Sequence, residues 1–224
     1  HITEVIPSIS EKDVRRTAFA HLANIVSFMT LSFYFINNHL LPPENEWWSK
    51  PPQQSLYGSY DVYNRSIAAN SFNNAFSKYT VMHKLFGELE STFRQLLRKL
   101  DPSAANNATE RITSVFKILC ATIGDKPAES NELLKLLRLS RNTIHNNGVF
   151  YSKKQTDDEV TYKGKTYQFK HGKPISFVNW EFLIDRVDDA RQLLRAVITN
   201  PNIIAIEDEI PDMFAENRTK VAAP

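Results

Sequence analysis

Nonpolar side chains recur every three or four residues along most of this chain, the spacing that places them on one face of an α-helix. The pattern predicts helices over residues 11–40, 71–100, 108–123, 127–148 and 176–199, bounded by Pro, Gly and Asn. Helices that each carry one nonpolar face must bury it against one another. We therefore expect an all-α fold, an up-and-down helical bundle, in a single domain over residues 1–224.

Three segments depart from the helical pattern. Residues 159–170 alternate nonpolar and polar side chains around Lys163-Gly164, which predicts a β-hairpin inside an insertion over 149–173. Residues 41–60 carry prolines and the pair Trp47–Trp48, which indicates an ordered loop or lid. Residues 201–224 form the predicted C-terminal tail.

Composition limits the function classes. The chain has 27 Lys and Arg against 25 Asp and Glu, so any attraction to nucleic acid must come from local placement of charge. With 6 glycines and no Gly-rich fingerprint, we expect no cofactor. The lone Cys120 cannot form an internal disulfide, and we interpret it as a buried nonpolar residue.

Metal and membrane sites are not expected either. His21, His39, His83 and His171 are scattered and show no zinc-ligand spacing. The longest nonpolar stretch, within residues 22–36, is shorter than the roughly 20 residues that span a bilayer. We therefore expect no metal, no membrane association and a cytoplasmic location.

A cluster of candidate functional residues lies late in the fourth predicted helix. Arg138, Arg141 and His145 project from one flank beside its nonpolar stripe, since they are three and seven positions apart. Arg141 and His145 are four positions apart, so their side chains can meet. Asn142 lies beside them, and Asn146-Asn147-Gly148 predicts the end of the helix because Asn and Gly accept the left-handed conformation.

These residue types suit metal-independent cleavage of RNA. Arg binds phosphate through a planar fork of donors, and His transfers protons near neutral pH. RNA supplies its own nucleophile, the 2′-hydroxyl beside the scissile phosphate. The protein then needs to supply only a proton carrier and positive charge for the developing phosphorane. The cluster contains both, and a dimer would bring two copies of it together.

The segment Arg-Asn-Thr-Ile-His-Asn-Asn-Gly, residues 141–148, resembles the signature of the HEPN superfamily (higher eukaryotes and prokaryotes nucleotide-binding domains). That family is a helical bundle, usually dimeric, whose motif is Arg, a polar residue often Asn, and then His. Many members are metal-independent endoribonucleases of toxin–antitoxin, phage-defence and RNA-processing systems. The resemblance implies an HEPN-like bundle that forms a homodimer and binds RNA, with an antitoxin or defence-system protein as a further partner.

Two assignments of the motif arginine are open. Three residues separate Arg141 from His145, fewer than is usual in the family, whereas six separate Arg138 from His145. Arg138, however, is followed by Leu139 rather than by a polar residue. We favour Arg141, Asn142 and His145 as the catalytic set. Arg138, Asn146 and Asn147 are then expected to bind RNA.

The sequence therefore favours an endoribonuclease that leaves a 2′,3′-cyclic phosphate. The alternative is a non-catalytic dimeric module of the same fold that binds RNA, a nucleotide or a protein partner, which the short Arg-to-His spacing favours. A third reading makes the chain a helical structural subunit with an ordinary charged surface.

Overall fold

The computed structural model of the chain describes residues 9–36, 38, 67, 72, 77–107 and 111–212. Within these residues the fold is mainly α-helical, with a small two-stranded antiparallel sheet. The predicted loop over 41–60, with Trp47–Trp48, lies outside them. In chain order the elements are α1 (Val14–Phe35), α2 (Lys78–Leu100), α3 (Pro102–Asn107), α4 (Ile112–Ile123), α5 (Ser130–His145), β1 (Asp158–Tyr162), β2 (Lys165–Phe169), α6 (Trp180–Ile198) and α7 (Pro201–Ile204).

The long helices confirm the periodicity, but two short helices were not predicted. Asp101 ends α2 as expected, yet α3 begins at the next residue. The Asp101 carboxylate accepts hydrogen bonds from the Ser103 hydroxyl and from the Ala104 backbone N–H, so it caps the new helix. Pro102 suits a first turn because its missing N–H would have no partner there.

Helix α2 is central to the core and packs against α1, α3, α4, α5 and α6. Its nonpolar face is fully buried along nearly its whole length. The side chains that form this face include Leu85, Leu89, Phe93, Leu96 and Leu97.

The predicted hairpin is confirmed. Strands β1 and β2 pair antiparallel from Asp158 opposite Phe169 to Tyr162 opposite Lys165. Lys163 and Gly164 both have positive φ, 48° and 72°, as a two-residue hairpin turn that matches strand twist requires.

A buried cluster of polar groups fixes the hairpin to α6. The Arg186 guanidinium donates to the Asp189 carboxylate over 2.7 Å and to the Tyr167 hydroxyl over 3.2 Å. Lys163 in the hairpin turn donates to the same carboxylate over 2.6 Å. These bonds connect the hairpin turn, the second strand and α6, so the hairpin is held against the helices.

The segment that follows α6 is bound to the start of α1. Arg15 and Asp13 form a buried ion pair with an Nη2–Oδ2 distance of 2.7 Å. Arg15 also donates to the backbone carbonyls of Ile203, Ile206 and Asp208. Residues 201–212 of the predicted tail are therefore packed against the start of α1, where Arg15 donates to their carbonyls. The remainder of the tail lies outside the described residues.

Cys120 is buried on α4, which confirms its interpretation as a core residue. Burial raises the pKa of its thiol to about 11, because the thiolate loses solvation.

Helix α1 is long and nonpolar enough to cross a membrane, judged by length and composition alone. The expectation of a stretch too short to span a bilayer counted residues only from Leu22, whereas α1 begins at Val14. A core helix meets the same criterion, and Val14, Ala18 and Ile25 of α1 are buried in the core. The cytoplasmic location stays a prediction.

Replacing Arg15 by Met should destabilise the fold strongly. The change leaves the Asp13 carboxylate buried without its cation, and breaking a buried pair in this way costs about 3–5 kcal/mol. Urea denaturation followed by circular dichroism measures the loss. Arg16→Met is the matched control, since Arg16 pairs with Glu11 at the surface and such pairs contribute less than about 1 kcal/mol. Equal stabilities of the two variants would contradict the role of the buried pair.

Candidate functional site

The end of α5 is set by a left-handed turn that places His145 as the last helical residue. Asn147 and Gly148 have φ angles of 55° and 82°, and the Gly148 N–H donates to the Thr143 carbonyl over 2.9 Å. This closes the helix as the Asn-Asn-Gly signal predicted. The chain then turns back along the helix flank that carries the predicted cluster.

Arg141 is half-buried against α2. Its guanidinium carbon lies 5.5 Å from the centroid of the Phe86 ring, and Nη1 donates to the Asn142 side-chain oxygen over 3.1 Å. The buried Nε atom has no hydrogen-bond partner. Asn142 thus orients Arg141, and the phenyl ring supports the flat face of the guanidinium.

Arg138 lies one turn earlier on the same flank. Its Nε is also buried without a hydrogen-bond partner. Burial lowers the pKa of Arg138, and the positive charge of Arg111 at the start of α4 lowers it further, whereas Asp158 raises it. The charges of Arg111 and Arg138 therefore repel one another within one groove, and a bound anion would relieve this repulsion.

His83 joins this site, although the sequence indicated only scattered histidines. The Tyr79 ring stacks on the His83 ring at 5.8 Å between centroids and contacts the His145 ring at 6.2 Å. Burial lowers the pKa of His83, and the charges of Arg141, His145 and Lys84 lower it further. No local signal marks His83, because its approach to His145 depends on how α2 packs against α5.

A groove of about 760 Å³ runs beside these residues. It carries five permanent cations and two carboxylates, and the carboxylates of Glu90 and Asp158 pair with Arg94 and Lys135 outside the lining. The surplus charge on its wall is therefore positive. The lining consists of Phe86, Glu90, Arg111, Ile112, Arg138, Leu139, Arg141, Asn142, His145, Asn146, Phe150, Tyr151, Ser152, Lys153, Lys154 and Asp158.

The predicted site residues share this groove with one exception. Arg138, Arg141, Asn142, His145 and Asn146 line it. Asn147 is not in the lining. Its backbone adopts the left-handed conformation that ends α5, which accounts for an asparagine at this position without a contact to RNA.

In the part of the chain that the structure describes, no three His, Cys, Asp or Glu side chains are grouped so that they could hold a metal ion. Comparisons with protein-family models, with curated proteins and with solved structures find no match to this chain. The geometry of the groove is therefore what supports a function.

The electrostatic coupling within the site predicts a measurable shift. In the unmodified protein the pKa of His83 should lie below 6.5, the ordinary value, and Arg141→Gln should raise it by removing a neighbouring positive charge. Titration of the histidine ring signals by NMR measures both. Arg98→Gln is the control, since Arg98 lies about 22 Å further along α2 and should leave the pKa unchanged. A His83 pKa that is the same in both variants would contradict the assembled site.

Proposed function

We propose that this chain is an endoribonuclease of the HEPN type, which cleaves RNA by attack of the 2′-hydroxyl on the adjacent phosphate. The observation that carries the proposal is the meeting of His83 and His145 on the Tyr79 ring beside a cationic groove. Two imidazoles and a guanidinium are the groups that this reaction needs, a base, an acid and a stabiliser of the phosphorane.

The surroundings of the two histidines favour different proton-transfer roles. Partial desolvation and nearby positive charge lower the pKa of His83, so it suits the base that takes the 2′-hydroxyl proton. His145 lines the groove at the carboxyl end of α5, so we assign it the acid. As the O2′–P bond forms and the P–O5′ bond breaks, His145 protonates the departing O5′. The products are a 2′,3′-cyclic phosphate and a free 5′-hydroxyl.

The arginines divide the phosphate contacts between them. Arg141 is one helical turn from His145 on α5 and its charge lowers the pKa of His83, so it would bind the scissile phosphate and neutralise the charge that develops on it. Arg138 and Arg111 would hold a neighbouring phosphate in the groove. The HEPN resemblance adds the expectation of a homodimer and of a toxin–antitoxin or phage-defence setting.

Purified protein should cleave RNA in the presence of EDTA. His145→Ala should reduce the rate by about 10²–10⁴-fold, the usual contribution of a general acid or base. Arg141→Ala should reduce it by about 10²–10³-fold. Arg191→Ala removes an equivalent charge from α6 outside the groove and should leave the rate unchanged. Full activity of His145→Ala would refute the site, and RNA binding without cleavage by the unmodified protein would establish the binding module instead.

The assignment of acid and base has its own test. In a substrate whose 5′ leaving oxygen is replaced by sulfur, the leaving group needs no proton, since a thiol has a pKa of about 8.5. His145→Ala should cleave this substrate nearly as fast as the unmodified protein does, whereas His83→Ala should remain slow. Measured single-turnover rates would contradict the assignment if His83→Ala were the variant that recovers.

A further inference from the structure

The rim of the cationic groove carries an exposed aromatic ring that the reaction does not use. Tyr151 follows α5 by six residues and is 60 % exposed, although it belongs to the groove lining. Lys153 and Lys154 lie two and three residues further along the same rim.

The backbone that carries Tyr151 is firmly held. Phe150 is buried and packs on Phe169 of the hairpin, with 5.5 Å between ring centroids. Its N–H donates to the Lys173 carbonyl over 3.0 Å, and its carbonyl accepts from the Gly172 N–H over 2.8 Å. Tyr151 is therefore presented from a fixed point, so its ring is ready to receive a ligand without a large loss of conformational entropy.

His171 fixes the ring from one side. The two rings meet nearly perpendicular, at 82° with 5.7 Å between centroids, and His171 Nδ1 accepts from the Ser152 N–H over 3.1 Å. The backbone N–H of His171 donates to the Asp157 carboxylate over 2.8 Å. A perpendicular contact covers at most one face of the tyrosine. At least one face of Tyr151 therefore stays open to a planar group.

We infer that the open face of Tyr151 is a subsite on which one unpaired base of the bound RNA stacks. Aromatic faces beside backbone-tracking cations are how proteins hold single strands, because every base has a face to stack and every linkage a phosphate. A duplex offers the phosphates but no free base face, since its bases are stacked on each other. Lys153 and Lys154 contact the phosphates that flank the stacked base. The inference rests on the proposed function for its polymer, RNA, and adds the residue that holds one base beside the groove.

Binding of a 2′-O-methyl oligonucleotide tests the inference apart from cleavage, since the modified 2′ oxygen cannot attack. In fluorescence anisotropy, a single strand of mixed sequence should bind more tightly than the same strand in a duplex. Tyr151→Ala should weaken single-strand binding by about 5- to 100-fold, whereas Tyr151→Phe should retain it. Tyr34→Ala is the matched control, because Tyr34 is also 60 % exposed but lies on α1 outside the groove lining.

A second readout reports stacking itself. An oligonucleotide that carries 2-aminopurine loses fluorescence when that base stacks, so scanning its position should find one site where quenching requires Tyr151. Lys153→Gln should weaken binding to all sequences and reduce the salt slope by about one. Equal single-strand affinity of Tyr151→Ala and the unmodified protein, or equal affinity for duplex and single strand, overturns the inference.

Failure of the inference differs from failure of the proposed function. If unmodified RNA is not cleaved but 2′-O-methyl single strands bind through Tyr151, the inference stands and the cleavage proposal falls. If RNA is cleaved and Tyr151→Ala cleaves and binds single strands like the unmodified protein, the inference alone falls.

Discussion

The burial of one whole face of α2 is the constraint on which the rest of the structure depends. Leu89 and Phe93 are inaccessible to solvent, and helices on several sides share this face as their common core. The rotation of α2 about its axis is thereby fixed. Tyr79 and His83, four residues apart, must then emerge together where α2 passes the end of α5. The placement of polar groups at the site is a consequence of packing in the core.

Buried ion pairs determine where the later parts of the chain attach. Arg15 binds backbone carbonyls almost two hundred residues further along the sequence, and Arg186 binds the hairpin. Both arginines bridge to a buried aspartate, so removal of either partner would leave an uncompensated charge. The Arg186–Asp189 pair also affects the groove, because Phe150 and Tyr151 contact the hairpin and the residues that follow it. Loss of the Arg186–Asp189 pair would therefore disturb the groove rim at Tyr151 more than the arginines on α5.

Local signals in the sequence predicted most of what is local in the structure. The helical periodicity, the Lys163-Gly164 turn and the stop after His145 depend on residues that are neighbours along the chain. The cluster of Arg138, Arg141, Asn142 and His145 was predictable because a helix fixes its own geometry. Boundaries were less accurate, and α3 was missed because Asp101-Pro102 both ends one helix and begins another.

What depends on tertiary packing was not predictable from one sequence. His83 and His145 are 62 positions apart, and no periodicity relates them. Their meeting requires the relative rotation and offset of two helices, which is set by the sum of many side-chain contacts. The exposure of Tyr151 was also not predictable, since the sequence does not show which of the adjacent rings, Phe150 or Tyr151, is buried. The docking of residues 201–212 was likewise not predictable, because the donor that binds their carbonyls, Arg15, belongs to α1.

The competition between Arg138 and Arg141 as the motif arginine takes a different form in three dimensions. Arg141 and His145 both lower the pKa of His83, whereas Arg138, one helical turn earlier on α5, is influenced by the charge of Arg111. The two arginines are about 4.5 Å apart along the α5 axis, so both can face one strand in the groove without competing for one phosphate. In the proposed function the short spacing between Arg141 and His145 is then no defect, because His83 on a second helix supplies the other proton carrier. A site built across two helices need not keep the spacing of a motif confined to one.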